Sequence, residues 1–257
     1  MIKDKFMPMN KIFGAFSIVI VVFLLFAISC KKDSENNTVA ATVTDIDGNV
    51  YHTLIIGTQV WMVENLKVIK YRNGDLIGTT APDTLDITGE NEPKYHWASS
   101  GFEDSVATYG RLYTWYAVTD CRNVCPSGWH VPSDVEWTTT EEYLITNGYN
   151  YDGTTTGNNI AKSMADKTNW FLSTNPGSVG NTDYPTYRNK SGFTALPGGY
   201  RSSEGTFLNT GISNDWWCST DSSSNNAWFR NLYYSYSDVF RSNYAKSSGF
   251  SVRCLRD

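Results

Sequence analysis

The sequence predicts an α+β domain carried behind an export segment. Three observations lead there. Helix signals fall in the first half of the domain and period-two patterns in the second. The chain holds 9 Trp, 16 Tyr and 12 Phe among many Gly, Ser, Asn and Thr, a composition that favours short strands and long ordered loops over a helical bundle. An apolar run near the N-terminus is bounded by lysines on one side and by small residues ending in Cys30 on the other.

In chain order, that N-terminal segment comes first. Lys3, Lys5 and Lys11 make a positive start, and no residue from Ile12 to Ser29 is charged. The run is about long enough to span a bilayer, so an uncleaved anchor is one reading. The other uses Ala27-Ile28-Ser29-Cys30, which resembles a bacterial lipobox. Cleavage after Ser29 would leave Cys30 to carry a diacylglycerol, and each buried methylene would contribute about 0.8 kcal/mol of anchoring. Ala27 departs from the Leu usual at that place in a lipobox. Lys31-Lys32-Asp33-Ser34-Glu35 resembles signals that send lipoproteins to the outer surface in the Bacteroidetes. The expected organisation is a signal over residues 1–29, a lipidated Cys30 with a flexible tether over 30–41, and one domain over 42–257.

Removing the signal takes away three Lys and one Asp, so the mature chain has 18 basic and 25 acidic residues, a net of −7. With no basic motif, a nucleic-acid partner is not expected. Four cysteines remain after Cys30: Cys121, Cys125, Cys218 and Cys254. An even count in an exported chain favours two disulfides, with three connectivities open. Cys121 and Cys125 have no second close pair to make a zinc site.

Residues 43–60 read as a hairpin about Asp47-Gly48. The Asp-rich string there is not an EF-hand loop, since Ile56 stands where the bidentate Glu belongs. A second turn and strand follow through Gln59-Val60-Trp61-Met62, and residues 72–93 read as a long surface loop. Residues 109–118 suit a buried strand or a short helix equally. Ser133 and Glu136 form a capping box, with Asp134 and Glu136 also suiting the helix dipole, and Gly148 is the stop. A second short helix is expected over residues 159–167, with Ile160 and Met164 on one face. Residues 192–201 read as strand then turn. Trp228, Arg230 and Leu232 alternate with Phe229, Asn231 and Tyr233, and pair as a hairpin with Val239-Phe240-Arg241. Phe250, Val252 and Cys254 line one face of a last strand, with Arg253 on the other.

Several strings taken together resemble the Fibrobacter succinogenes major paralogous domain. They are Val43-Thr44-Asp45-Ile46-Asp47-Gly48-Asn49-Val50-Tyr51, Gln59-Val60-Trp61-Met62-Val63-Glu64-Asn65-Leu66 and Cys125-Pro126-Ser127-Gly128-Trp129-His130-Val131-Pro132-Ser133. Two more follow, Ser191-Gly192-Phe193-Thr194-Ala195-Leu196-Pro197-Gly198-Gly199-Tyr200-Arg201 and Gly249-Phe250-Ser251-Val252-Arg253-Cys254-Leu255-Arg256-Asp257. The resemblance spans residues 42–257. It implies a C-type-lectin-like or formylglycine-generating-enzyme-like fold, with two helices flanking small twisted antiparallel sheets and long loops. It also implies a Cys125–Cys254 bridge, which leaves Cys121 with Cys218. It carries no biochemical role.

Enzyme chemistry finds little support. His52, His96 and His130 are the only histidines, and no Gly-x-Ser-x-Gly elbow or His-Glu-x-x-His pair is present. His130 reads as a packed histidine bonding a loop carbonyl. A formylglycine-generating-like oxidase would need a reactive Cys254, whereas an alternating strand in an exported chain favours a structural disulfide. Asp215 and Asp221 carry no local mark of a glycosidase pair.

Binding is the favoured reading. Sugar rings stack on aromatic faces while Asn, Asp and Arg hold their hydroxyls. Asn214-Asp215-Trp216-Trp217 is read as a late loop, with Arg201, Arg230, Asn231, Arg241 and Asn243 lining a groove beside it. Against this stands the reading that at least one tryptophan ring is core. Ca2+ has no motif: Glu92-Pro93 is followed by Lys94, and Trp216 follows Asn214-Asp215 where a lectin site has it precede. No other cofactor is expected. The expected role is a cell-envelope lipoprotein, held to the membrane by its lipid and lodged in the outer membrane. It would display a non-catalytic adhesion module for a glycan or a surface protein. A purely structural envelope lipoprotein without a small ligand, or a formylglycine-generating-like enzyme, is the alternative.

Overall fold

The computed structural model describes residues 39–257. The signal, Cys30 and most of the tether lie outside the described residues.

The chain enters through β1 (Val39–Thr44), β2 (Val50–Ile56) and β3 (Gln59–Met62), an antiparallel meander. Asp45 shapes the first turn. Its Oδ1 accepts hydrogen bonds from the Asp47 and Asn49 amides at 2.9 Å each, and its Oδ2 accepts from the Tyr51 hydroxyl at 2.6 Å. The Asp-rich string is therefore an Asx-type turn, as its failure to match a calcium loop implies.

β4 (His96–Ala98) pairs with β5 (Arg111–Tyr113), and between them lies a short helix, α1 (Val106–Tyr109). The ambiguous segment 109–118 resolves into both alternatives, since β5 is followed at once by α2 (Trp115–Val118). β6 (Trp129–His130) leads into α3 (Asp134–Thr146), whose capping box is complete. The Ser133 side chain accepts from the Glu136 amide, and Glu136 accepts from the Ser133 amide at 2.7 Å.

The second helix is shorter than expected. α4 covers only Ala161–Met164. Asn158 and Asn159 are drawn off to other partners, Val239 and Asn150, and Ala165 leaves the helix to bridge Ala195. Ile160 and Met164 are buried as their spacing implies. Residues 192–199 form no strand. Thr194 and Gly199 take positive φ and Pro197 has no N–H to pair, so the order reverses: an irregular segment ends in β7 (Tyr200–Arg201), which pairs with β8 (Phe207–Leu208). At Gly199, φ is +68° and a Cβ would stand 2.1 Å from the Leu208 carbonyl oxygen, so only glycine fits.

β9 (Ser213–Asp221), β10 (Asn226–Tyr233) and β11 (Phe240–Ala245) make a three-stranded antiparallel sheet in the order β11-β10-β9. The β10–β11 hairpin follows the expected alternation. The C-terminal segment runs through the middle of the domain. Phe250 bridges Tyr113, Ser251 bridges Trp216, and β12 (Leu255–Arg256) lies between β3 and β6 in a five-stranded sheet, β1-β2-β3-β12-β6. Both faces of this segment are consequently buried. Phe250, Val252 and Cys254 fill one side, and Arg253 is also enclosed, its guanidinium 4.0 Å from the Phe193 ring centroid.

Two arginines order the loops that the composition implied. Arg201 donates to the carbonyls of Asp83, Leu85 and Ser202. Arg72 donates to those of Cys125, Pro126 and Trp129. Each satisfies backbone oxygens that no strand partner reaches. Within the loop 72–93, Ile77 and Ile87 point inward and are buried.

Cys125 and Cys254 form a disulfide across 129 residues, tying the central C-terminal segment to the lead-in of α3. Closing so long a loop contributes about 2–5 kcal/mol. The second bridge does not exist: Cys121 and Cys218 are free thiols. Cys218 is on the β9 face turned to α3, enclosed with Arg230, and burial pushes its thiol up to about 12. Cys121 is exposed.

Candidate functional site

The three-stranded sheet places alternate residues on opposite faces, and its register sets what each face carries. Asn231 stands between Asp215 on β9 and Phe240 on β11. The next rows on that face hold Trp217, Phe229 and Ser242, and the other face holds Trp216, Arg230 and Arg241.

The second face packs on α3. Trp216 is fully buried, its ring centroid 6.1 Å from that of Trp137 and 5.8 Å from that of Phe193, and its Nε1 donates to Asn65 Oδ1 at 2.8 Å. Trp217 is fully buried on the first face. It stacks on Phe250 at 4.3 Å and donates to the Tyr113 carbonyl at 2.8 Å. The groove expected around this pair is therefore corrected. Asn214 to Trp217 are strand, not loop, and the two rings are covered, Trp216 by α3 and Trp217 by the C-terminal segment.

The arginines also move out of the site. Arg230 is fully buried and donates to Asp134 Oδ1 at 2.7 Å, to Glu141 and to Thr138 Oγ1 at 3.0 Å. Arg241 is half exposed on that same face, held by Asp134 at 2.8 Å with its guanidinium 3.5 Å from the Trp228 ring centroid. Burial works against ionisation of Asp134, but the two guanidiniums outweigh it and hold the carboxyl below its usual range. Arg201 is buried among backbone carbonyls. Asn214 is buried too, its Oδ1 accepting from the Gly198 amide at 3.1 Å.

Asp215 and Asn231 remain together in a different site. They line a cup of about 370 Å3 with Phe229, Tyr233, Tyr236 and Phe240. Tyr236 is 53% exposed and Phe240 48%, so large aromatic surfaces stand free at its rim. Asp215 is buried beneath them. Its Oδ1 accepts from Asn231 Nδ2 at 2.7 Å and its Oδ2 from Ser213 Oγ at 3.0 Å. Burial pushes its carboxyl up to about 6, with the two hydrogen bonds opposing. The four aromatics of the cup were absent from the expected site. The hairpin register offered a signal for them, because pairing Asn231 with Asp215 and Phe240 puts Phe229 and Tyr233 on the same face.

A second cleft, of about 460 Å3, is lined by Trp115, Tyr116, Lys94, Asp120, Cys121 and Lys246 among others. Three of its charged side chains already have partners. Lys94 pairs with Asp120 at 2.8 Å, Arg122 holds the other side of Asp120, and Lys246 lies 4.3 Å from the Trp115 ring centroid. Among the described residues no group of three or more His, Cys, Asp or Glu could hold a metal ion. No helix among them is long and apolar enough to cross a membrane. Cys254, on which an oxidase reading would depend, is disulfide-bonded and buried.

His130 bonds no loop carbonyl. Its Nδ1 lies 2.6 Å from Asp257 Oδ1 and its Nε2 2.9 Å from Glu136 Oε1, so it joins the C-terminal residue to the capping box of α3. Burial lowers its affinity for a proton, but the two carboxylates outweigh that and raise it above the ordinary histidine value. A raised folded-state pKa stabilises the fold while the ring is protonated, and that gain is lost as pH rises through the folded value. The stability lost in His130→Gln is expected to reach about 1 kcal/mol in acid and to fade at mildly alkaline pH, measured by urea unfolding across that range. A deficit that grew with pH would contradict this sign.

The family model described as the Fibrobacter succinogenes major domain matches residues 54–256, from within β2 to β12. No curated protein and no solved structure matches the chain.

Proposed function

The chain belongs to the Fibrobacter succinogenes major domain family, and from that premise we propose that it is a lipid-anchored binding module of a bacterial cell envelope, taking a glycan in the cup on the three-stranded sheet. The observation that carries the reading is the pairing of exposed Tyr236 and Phe240 faces with the buried Asp215–Asn231 pair. Aromatic faces stack on the C–H side of a pyranose, and a carboxylate–amide pair takes its hydroxyls. We read the fold as C-type-lectin-like. One dominant helix, several small antiparallel sheets, long ordered loops and a disulfide from the C-terminal segment to the lead-in of α3 support this. Anchoring rests on the lipobox-like Ala27-Ile28-Ser29-Cys30, with the outer membrane as its destination. Catalysis has no constellation behind it, and a purely structural lipoprotein would leave the cup without purpose.

The purified full-length protein, screened on a glycan array, is expected to bind a restricted set of glycans. Tyr236→Ala and Phe240→Ala should weaken that binding at least tenfold, while unfolding stability stays within about 0.5 kcal/mol, because both rings stand at the surface. Failure of the folded protein to bind any glycan would reject this reading in favour of a structural role or a protein partner. Binding that survives both substitutions would remove the cup.

A further inference from the structure

We propose that the cup selects a glycan unit carrying a free, protonated amine, an unacetylated amino sugar, with its ammonium group seated on Asp215. The inference rests on the glycan reading of the same cup and specifies its ligand.

Asp215 lacks the partners that the other inward-lying carboxylates have. The half-buried Asp134 and the buried Glu141 each pair with Arg230, and Asp120 pairs with Lys94 and Arg122. Asp45 has no cation within its turn contacts but accepts four hydrogen bonds there, from two amides, Asn49 Nδ2 and the Tyr51 hydroxyl, and its neighbour Asp47 takes Lys70. Asp215 has only two donors, Asn231 Nδ2 and Ser213 Oγ, both neutral. No ion pair reaches it among the described residues. A carboxylate has roughly four lone-pair sites, so about two remain for a ligand that enters the cup. A buried charge with half its hydrogen bonds made is unfavourable until a cation joins it. An ammonium group brings the charge and up to three donors together.

The walls suit the same group. Phe229, Tyr233, Tyr236 and Phe240 surround the carboxylate, and aromatic faces attract a cation through their negative π surfaces. They also offer the apolar contact that a sugar ring needs. The volume of about 370 Å3 lies in the range of small-ligand pockets. No fixed cation competes. Arg230 and Arg241 are on the opposite face of the sheet and committed to Asp134. The titratable groups that face Asp215 are the hydroxyls of Tyr200 on β7, Tyr233 on β10 and Tyr236 in the following turn, with the neutral donors Ser213 on β9 and Asn231 on β10 completing its surroundings. No second carboxylate is among them. The mature chain's net of −7 adds a favourable long-range field.

Because burial holds the Asp215 carboxyl up to about 6, the charge that receives the amine is present at neutral pH and lost as pH falls through that region. Affinity for the amine should therefore decline in mild acid, although the sugar itself stays protonated there.

The test is calorimetric titration of the full-length protein with three β-1,4-linked oligosaccharides of equal length: glucosamine, N-acetylglucosamine and glucose. It is run at pH 7 and pH 5, with the wild type and with Asp215→Asn. The expected result is binding of the glucosamine oligomer at least tenfold tighter than either neutral oligomer at pH 7, with the preference reduced at pH 5 and abolished in Asp215→Asn. If Asp215→Asn does not fold, Phe240→Ala replaces it and should lose most of the amine affinity. Equal binding of all three oligomers, or an amine preference that persists in Asp215→Asn, would overturn the ammonium assignment and leave a glycan cup in place. No binding of any oligomer by folded protein would overturn this inference, and the array result decides separately whether the broader glycan reading survives.

Discussion

Trp216→Ala is expected to lower the unfolding free energy by about 3–5 kcal/mol. The ring is enclosed by Trp137, Phe193 and the Arg253 guanidinium, whose carbon lies 5.6 Å from the Trp216 centroid. Truncation leaves a cavity walled by aromatic rings that belong to α3 and to the segment before β7, and neither can close over it without moving an anchored element. It also removes the Nε1–H bond to Asn65 Oδ1, leaving that oxygen with Arg253 Nη2 alone. Urea denaturation followed by tryptophan fluorescence reads the change. A loss under about 1 kcal/mol would mean the ring is not the core element it is drawn to be. The consequence for function is direct: lost ligand binding in this variant would report unfolding, whereas Tyr236 and Phe240 can be changed in a folded protein.

Arg230→Met is expected to cost a comparable amount, about 3–5 kcal/mol, through charge rather than volume. Among the described residues Arg230 is the only cation bonded to Glu141, which is buried on α3, while Asp134 retains Arg241. Removing the guanidinium strands a carboxylate in the interior between helix and sheet. Burial already pushes the Glu141 carboxyl up against the pull of Arg230, and without that pull it rises further. A raised carboxyl penalises the fold at neutral pH and ceases to do so once protonated, so the deficit should shrink as pH is lowered. Glu141→Leu added to Arg230→Met should recover most of the loss, since well-packed apolar groups often replace a buried ion pair at little cost. A double variant no more stable than the single one would show that Arg230 acts through packing alone.

The elements that were legible in the sequence are those fixed by neighbours in the chain. Ser133 and Glu136 announce α3 because the capping box closes within three residues, and Asp47-Gly48 announces the first hairpin for the same reason. Alternation from Trp228 to Tyr233 identified β10, and the family resemblance supplied the Cys125–Cys254 pairing. What could not be read was coverage. Trp216 and Trp217 look like a binding pair when β9 is imagined bare, and become core once α3 lies on one face and the C-terminal segment on the other. Arg230 looks like a hydroxyl donor until Glu141, 89 residues away, is found against it. Asp215 and Asn231 stayed together because antiparallel register makes them cross-strand neighbours. Tyr236 was missed because it lies in the turn before β11, where no alternation sets the direction of a ring, whereas Phe240 was legible from its register opposite Asn231. The shortened α4 has a similar cause, with Asn158 and Ala165 claimed by partners far along the chain and Asn159 by Asn150, nine residues before it.

The central claim is that ligand is taken in the cup on the β9–β11 sheet. The most direct measurement is NMR mapping of the isotopically labelled protein during titration with the glycan selected on the array. Shifts are expected first at the Asn231 side-chain amide and the Tyr236 and Phe240 rings, with the Trp216 and Trp217 indoles unmoved. Shifts centred on Trp115 and Lys246 in the other cleft, or none in the cup at saturating glycan, would contradict the account.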